Sequence, residues 1–194
     1  TQLDDLTYEI TITTLTFTLS QADRNRLEVQ WGDNNFSFAE RVSITKLPHF
    51  YQKNVYITQH TFPGPGIYEI VVQDPNRNDG VKNIPKSVNV IFSIKTTILI
   101  NSDLGANSTP ELLKPPIDRA AYGQVFIHNP AAYDPDGDSI SYKLTICTEL
   151  DGRPIEGYTL PPASDTLFID PYTGDLTWIT PSDTGLFNIA FDVE

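Results

Sequence analysis

Three carboxylates stand within five residues, at Asp134, Asp136 and Asp138. Side chains of like charge this close repel one another unless a cation or solvent screens them. Calcium takes about six to eight oxygens from carboxylates, carbonyls and water, so an alternating Asp run suits it. An EF-hand is excluded: counted from Asp134, the positions that need Gly and Glu hold Ser139 and Thr145. Asp103, Asn107 and Asp192 are candidates for further oxygens. The same residues also make a good turn, because Asp134-Pro135-Asp136-Gly137 puts Pro second and Gly fourth, as a type I turn prefers. From these residues alone, a calcium site and a solvated turn both stand.

Other chemistry-bearing residues are sparse. His49, His60 and His128 lack the close pairing of a zinc site, and a hydrogen bond at a strand end is the expected role of His60. The single cysteine, Cys147, lies in the alternating run 140–147 and reads as a strand residue; it has no partner for an internal disulfide. A Gly-x-Ser-x-Gly elbow, a phosphate-binding loop and a His-Glu-x-x-His pair are all missing from the sequence. The chain is therefore not expected to be an enzyme. Tyr51, Tyr56, Tyr133 and Tyr172 could form a sugar-binding platform if they share one exposed face; otherwise they serve the core and the turns.

The elements that would position these residues read as strands. Alternation runs through 8–19, 27–31, 36–47, 54–62, 67–73 and 87–100, with turn clusters of Gly, Pro, Asn and Asp between. At Thr13-Thr14 the apolar phase changes, which predicts a bulge or a strand that changes sheets. The stretch 101–110 is small, polar and non-periodic, and marks the expected domain boundary. Strand patterns resume at 124–127, 139–147, 166–169, 175–179 and 186–193. The expectation is an all-β chain of two tandem immunoglobulin-like β-sandwiches, 1–105 and 106–194.

The formal net charge is −12 over 194 residues. Residues 1–105 carry 9 basic and 11 acidic side chains, and residues 106–194 carry 4 and 14, so the acidity belongs to the second half. Such a chain is repelled by phosphate backbones, which argues against nucleic-acid partners. No apolar run approaches the ~20 residues of a membrane helix, so no transmembrane segment is expected. Met is absent, even at position 1, so the chain is expected to be a processed chain or an excised fragment.

Two resemblances refine this reading. Val29-Gln30-Trp31-Gly32-Asp33, then His60-Thr61-Phe62 and Pro65-Gly66-Ile67-Tyr68, resemble the signature of the polycystic-kidney-disease (PKD) domain family across most of residues 8–101. Asn34 stands where that family usually has Gly, and Asn tolerates the left-handed turn required. The resemblance implies that Trp31 anchors a core and that the Tyr68 hydroxyl ties a corner. Ala132-Tyr133-Asp134-Pro135-Asp136-Gly137-Asp138 and Phe168-Ile169-Asp170-Pro171-Tyr172-Thr173-Gly174-Asp175-Leu176 resemble cadherin-like domains. Leu112-Leu113-Lys114-Pro115-Pro116-Ile117-Asp118, Gly123-Gln124-Val125-Phe126-Ile127-His128-Asn129-Pro130 and Gly157-Tyr158-Thr159-Leu160-Pro161 look similar to very large surface proteins of gliding bacteria exported by the type IX secretion route, over almost all of residues 101–194.

These resemblances imply a non-catalytic scaffold or adhesion segment of a larger secreted or cell-surface protein. Its expected partners are neighbouring domains of the same polypeptide and protein or glycan ligands. Calcium at Asp134, Asp136 and Asp138 would stiffen it by cancelling their repulsion. The alternative is a carbohydrate-binding accessory module of a secreted hydrolase.

Overall fold

The computed structural model describes residues 1–105 and 107–194. Ala106, where the second sandwich is expected to start, lies outside the described residues. The described chain is all-β: it holds strands and four short 3-10 turns, and no α-helix. No helix among the described residues is long and apolar enough to cross a membrane.

The chain forms two compact units. The first comprises Thr1–Pro75 and Phe92–Ser108, and the second Asn76–Ile91 and Thr109–Glu194. Residues 76–91 thus belong with the second unit although they lie in the middle of the first in sequence. Part of the run expected as one strand, 87–100, is affected: Ser87–Asn89 is a 3-10 turn of the second unit and only Phe92–Ile100 is a strand of the first.

The first unit is one curled antiparallel sheet of seven strands: β1 (Gln2–Asp4), β2 (Thr7–Phe17), β3 (Arg26–Gln30), β4 (Phe36–Lys46), β5 (Tyr51–Thr61), β6 (Gly66–Asp74) and β7 (Phe92–Ile100). Their order is β1-β2-β5-β4-β3-β6-β7. Long β4 makes the curl. Its first half pairs with β3 and its second half with β5, and the register shifts between Arg41 and Ser43. Such a bulge bends a strand and adds twist. The limbs enclose one core: Tyr8 and Ile12 of β2, Tyr56 of β5, Ala39 of β4, Leu27 and Val29 of β3, Ile70 and Val72 of β6, with Trp31, Phe62 and Ile100.

The bulge expected at Thr13-Thr14 is not present: β2 pairs with β5 without interruption from Thr7↔Thr61 to Phe17↔Tyr51. The phase changes because the inward face itself turns polar. Beyond Ile12, the inward positions hold Thr14 and Thr16, whose hydroxyls accept hydrogen bonds from Asn54 Nδ2 at 3.3 and 3.0 Å. Asn54 is buried, and its Oδ1 accepts from Gln52 Nε2 at 3.0 Å. A buried amide costs little once its donors and acceptor are satisfied.

The second unit has three small sheets. β8 (Glu111–Leu112) pairs with β10 (Ala132–Tyr133); β11 (Tyr142–Thr145) with β14 (Ala190–Val193); and β13 (Leu176–Trp178) lies between β9 (Phe126–His128) and β12 (Leu167–Ile169). One core joins Leu167, Leu176 and Trp178 to Phe126, Leu144, Phe187 and Ile189. The other joins Val81 and Ile84 of the 76–91 segment to Cys147 and Ile155, with Val90, Tyr158 and Ala190 packed on it.

Candidate functional site

The β3–β4 turn gathers several hydrogen-bonded polar groups. Asp33 follows Gly32, whose φ of +79° and lack of a side chain bring its Cα against the β6 backbone. A Cβ there would meet the Glu69 carbonyl oxygen at 2.6 Å. Asp33 accepts hydrogen bonds from the Asn35 backbone N–H (3.0 Å) and Asn35 Nδ2 (3.1 Å), and Trp31 N–H donates to the Asn35 carbonyl at 3.0 Å. Asp33 Oδ2, which takes the Asn35 Nδ2 bond, also lies 2.8 Å from His60 Nε2 at the end of β5. The imidazole stacks on Trp31 with centroids 4.6 Å apart and meets the edge of Phe62 at 4.8 Å. Burial pushes the Asp33 carboxyl up, and the hydrogen bonds from His60 and Asn35 outweigh it, leaving its pKa below the ordinary carboxylate range. Trp31 is fully buried, and the Tyr68 hydroxyl donates to the Gly64 carbonyl at 2.9 Å, closing the corner before β6. This constellation fastens a turn to a core.

Asp134, Asp136 and Asp138 come together as a turn. Asp134 is half-buried, and its Oδ1 accepts the backbone N–H groups of Asp136 (2.8 Å) and Asp138 (3.2 Å). The Gly137 N–H donates to the Asp134 carbonyl at 3.2 Å, and Gly137 has φ +85°. The Asp136 and Asp138 side chains are exposed. Among the described residues, no group of three or more His, Cys, Asp or Glu is placed to hold a metal ion. A calcium ion needs oxygens that converge, whereas here one carboxylate oxygen is already committed to two backbone donors. The hydrogen bonds shown are those of an Asx-type turn. Of the proposed supplementary ligands, Asp192 stands exposed in β14 opposite Lys143, the Asp103 N–H donates to Asn101 Oδ1, and the Asn107 N–H donates to Gln2 Oε1.

The remaining histidines do not gather. His128 Nδ1 meets Asp118 Oδ2 at 3.2 Å, and His49 sits in the β4–β5 turn at φ +61°. The four tyrosines do not form a platform either. Tyr56 is buried and donates to the Arg24 carbonyl at 2.9 Å; Tyr51 packs edge-on to Phe17; Tyr133 and Tyr172 are exposed residues of the second unit.

A cluster that the sequence reading missed lies on the 76–91 segment. The buried Arg77 guanidinium donates to Asn188 Oδ1 (3.1 Å), the Ile91 carbonyl (3.2 Å) and the Thr148 carbonyl (2.8 Å). Burial lowers its pKa, with Cys147 and Glu149 acting the other way. The Asn83 side chain donates to the Thr159 and Asn188 carbonyls at 2.8 and 2.7 Å and accepts from the Asn188 N–H at 2.9 Å. Lys82 Nζ pairs with Asp183 at 2.7 Å. Beneath them lies Cys147, buried, its thiol pushed up in pKa by burial. Burial likewise raises the neighbouring Tyr158 hydroxyl. A buried thiol held in its neutral form is a poor nucleophile.

A shallow, open hollow of about 410 Å3 lies on the outward side of the β3–β4 hairpin, lined by Glu28, Gln30, Gly32, Asn34, Asn35 and Phe36. In comparisons with known proteins, no family model, curated protein or solved structure matches this chain.

Proposed function

We propose that the chain is a non-catalytic spacer and adhesion segment of a larger secreted or cell-surface protein, a PKD-like unit followed by a cadherin-like unit. One observation carries this reading: the chemistry-bearing side chains are spent on fastening turns and segments. Asp33 and His60 hold the β3–β4 turn, Asp134 closes its own turn, and Arg77 and Asn83 hold residues 76–91. In this reading the curled sheet is an immunoglobulin-like sandwich whose layers share β4. What supports it is the single core, contributed by β2 and β5 on one side and by β3 and β6 on the other. The second unit is read as a sandwich of the same class on its cadherin-like motifs. Calcium at Asp134, Asp136 and Asp138 has the sequence pattern in its favour and the committed Asp134 oxygen against it.

The test is location and size. Antibody raised against these residues is expected to label intact, unpermeabilised cells of the source organism. On a blot it is expected to mark a band far above the 21.7 kDa of this chain. Labelling confined to permeabilised cells overturns the reading.

A further inference from the structure

We propose that the hollow on the β3–β4 hairpin binds a neutral glycan, with Phe36 as the stacking surface and the Gln30, Asn34 and Glu28 side chains as hydroxyl partners. In the β3–β4 ladder Gln30 stands opposite Phe36, and Glu28 opposite Phe38, so all four lie on one face of the sheet. That face points away from the core, since the alternate residues Leu27, Val29 and Ala39 are the buried ones. Phe36 is 66% exposed, which is a large cost for a ring of that size in water. Phe38 meets it edge-on at 6.3 Å and is itself covered by the Arg26 guanidinium at 4.3 Å. The Phe36 ring is thus braced from one side and open on the other.

The polar groups around it have the chemistry that sugar hydroxyls require. Planar amides and carboxylates offer donors and acceptors side by side, and an aromatic face accepts the C–H side of a pyranose ring. Gln30 Nε2 donates to Glu28 Oε1 at 3.4 Å, which orients the pair. The exposed Asn34 side chain makes no hydrogen bond to another described residue, so its amide is available. The wall that carries it is stiff, because Asp33 binds Asn35 twice and His60 once. A rigid wall lowers the entropy cost of binding.

Other ligand classes fit less well. No basic side chain lines the hollow, which disfavours an anion. One carboxylate, already hydrogen-bonded, is too few oxygens for a hard cation. The volume matches the ~300–1,000 Å3 of small-ligand sites, whereas a stable protein partner needs about 800 Å2 on each side. This inference adds a ligand to the proposed spacer and is tested apart from it: cell labelling decides where the protein sits, and the experiment below decides whether it holds sugar.

The test is affinity electrophoresis of the full chain in native gels containing glycogen, laminarin, galactomannan, xyloglucan or arabinoxylan, with alginate and pectate as anionic controls. At least one neutral polysaccharide is expected to retard the wild-type chain. Phe36→Ala is expected to abolish the retardation or weaken affinity at least tenfold. Asn34→Gly, which keeps the left-handed turn at φ +70° while removing the amide, is expected to weaken it too. Both variants alter exposed residues and are expected to melt as the wild type does. Three results overturn the proposal: no retardation by any neutral polysaccharide, retardation by alginate or pectate alone, or retardation unchanged in both variants.

Discussion

His60 Nε2 lies 2.8 Å from Asp33 Oδ2, and the Asp33 side chain is only 2% exposed. The bond ties the β3–β4 turn to the end of β5 across the mouth of the core. Asp33→Asn replaces an acceptor-only group with an amide: if its oxygen keeps His60 and Asn35 Nδ2, its NH2 faces the Asn35 backbone N–H, donor against donor. The expected cost is about 1.5–3 kcal/mol at pH 7, read from urea unfolding. The pH dependence has a definite sign. A carboxyl whose folded pKa lies below its unfolded value stabilises the fold above the unfolded value, and the gain disappears as pH falls through the folded one. The wild type's advantage over Asp33→Asn should therefore narrow as the pH drops below about 4. An advantage that is constant from pH 7 to pH 2 contradicts the pairing.

Asn83 and Asn188 exchange hydrogen bonds in both directions, 2.7 Å from the Asn83 amide to the Asn188 carbonyl and 2.9 Å back. This is strand-like pairing made by one side chain. It holds Val81 and Ile84 over Cys147. Because Cys147 is the sole thiol, its reaction with Ellman's reagent reports opening of the segment. Asn83→Ala strands the half-buried backbone groups of Asn188 and should speed labelling at least tenfold, since about 1.4 kcal/mol of opening free energy is a factor of ten. Residues 109–194 alone, without residues 76–91, are expected to lack a cooperative melting transition. A cooperative melt of that piece, or unchanged labelling of Asn83→Ala, counts against the stapling role.

Asp134 closes its turn with one carboxylate oxygen and two backbone N–H groups. Asp134→Ala is expected to cost about 1 kcal/mol by removing an Asx-type cap. Asp138→Ala, at an exposed side chain, should stay within about 0.5 kcal/mol. Millimolar calcium is expected to leave the melting temperature of the wild type unchanged. A rise with calcium that a chelator reverses and Asp134→Asn abolishes would show a cation held at this turn.

Much of the first unit could be read along the chain because its signals are local. Trp31-Gly32-Asp33 and His60-Thr61-Phe62 each sit beside a strand end, and burial alternates along β3, where Leu27 and Val29 point inward. The polar end of β2 misled the reading: period-two logic looks for apolar residues inside, and Thr14 and Thr16 are inside because Asn54 across the ladder needs their hydroxyls. Residues 76–91 misled it more. Asp79-Gly80 and the Asn and Pro residues around them look like a loop, and nothing local tells that Arg77 and Asn83 have partners 71 to 111 positions later. The β3–β4 hollow was also hidden, since Phe36 and Phe38 look like core residues until pairing with Gln30 and Glu28 of β3 puts them on the face opposite buried Ala39, Val29 and Leu27.

Gly174 separates backbone strain from crowding in the second unit. It lies between β12 and β13 at φ +76°, where a Cβ would stand 2.6 Å from the Tyr142 ring. Around it, Asp170 Oδ1 accepts from the Tyr172 and Thr173 N–H groups at 2.8 and 2.9 Å, and the Gly174 N–H donates to the Asp170 carbonyl at 3.0 Å. Tyr142 is buried and its N–H donates to the Pro171 carbonyl at 3.0 Å, so the ring has little room to retreat. Gly137 is the matched control, with φ +85° and open space where its Cβ would go. Gly137→Ala should cost only the left-handed penalty, about 1–2 kcal/mol. Gly174→Ala should cost that and about 1–3 kcal/mol more for the overpacked ring. Trimming Tyr142 to Leu in the Gly174→Ala background should recover part of the second amount, because the clash is with ring atoms. Equal losses at the two glycines would show that the Tyr142 ring yields freely, and that the hairpin is held by its Asp170 turn rather than by close packing against β11.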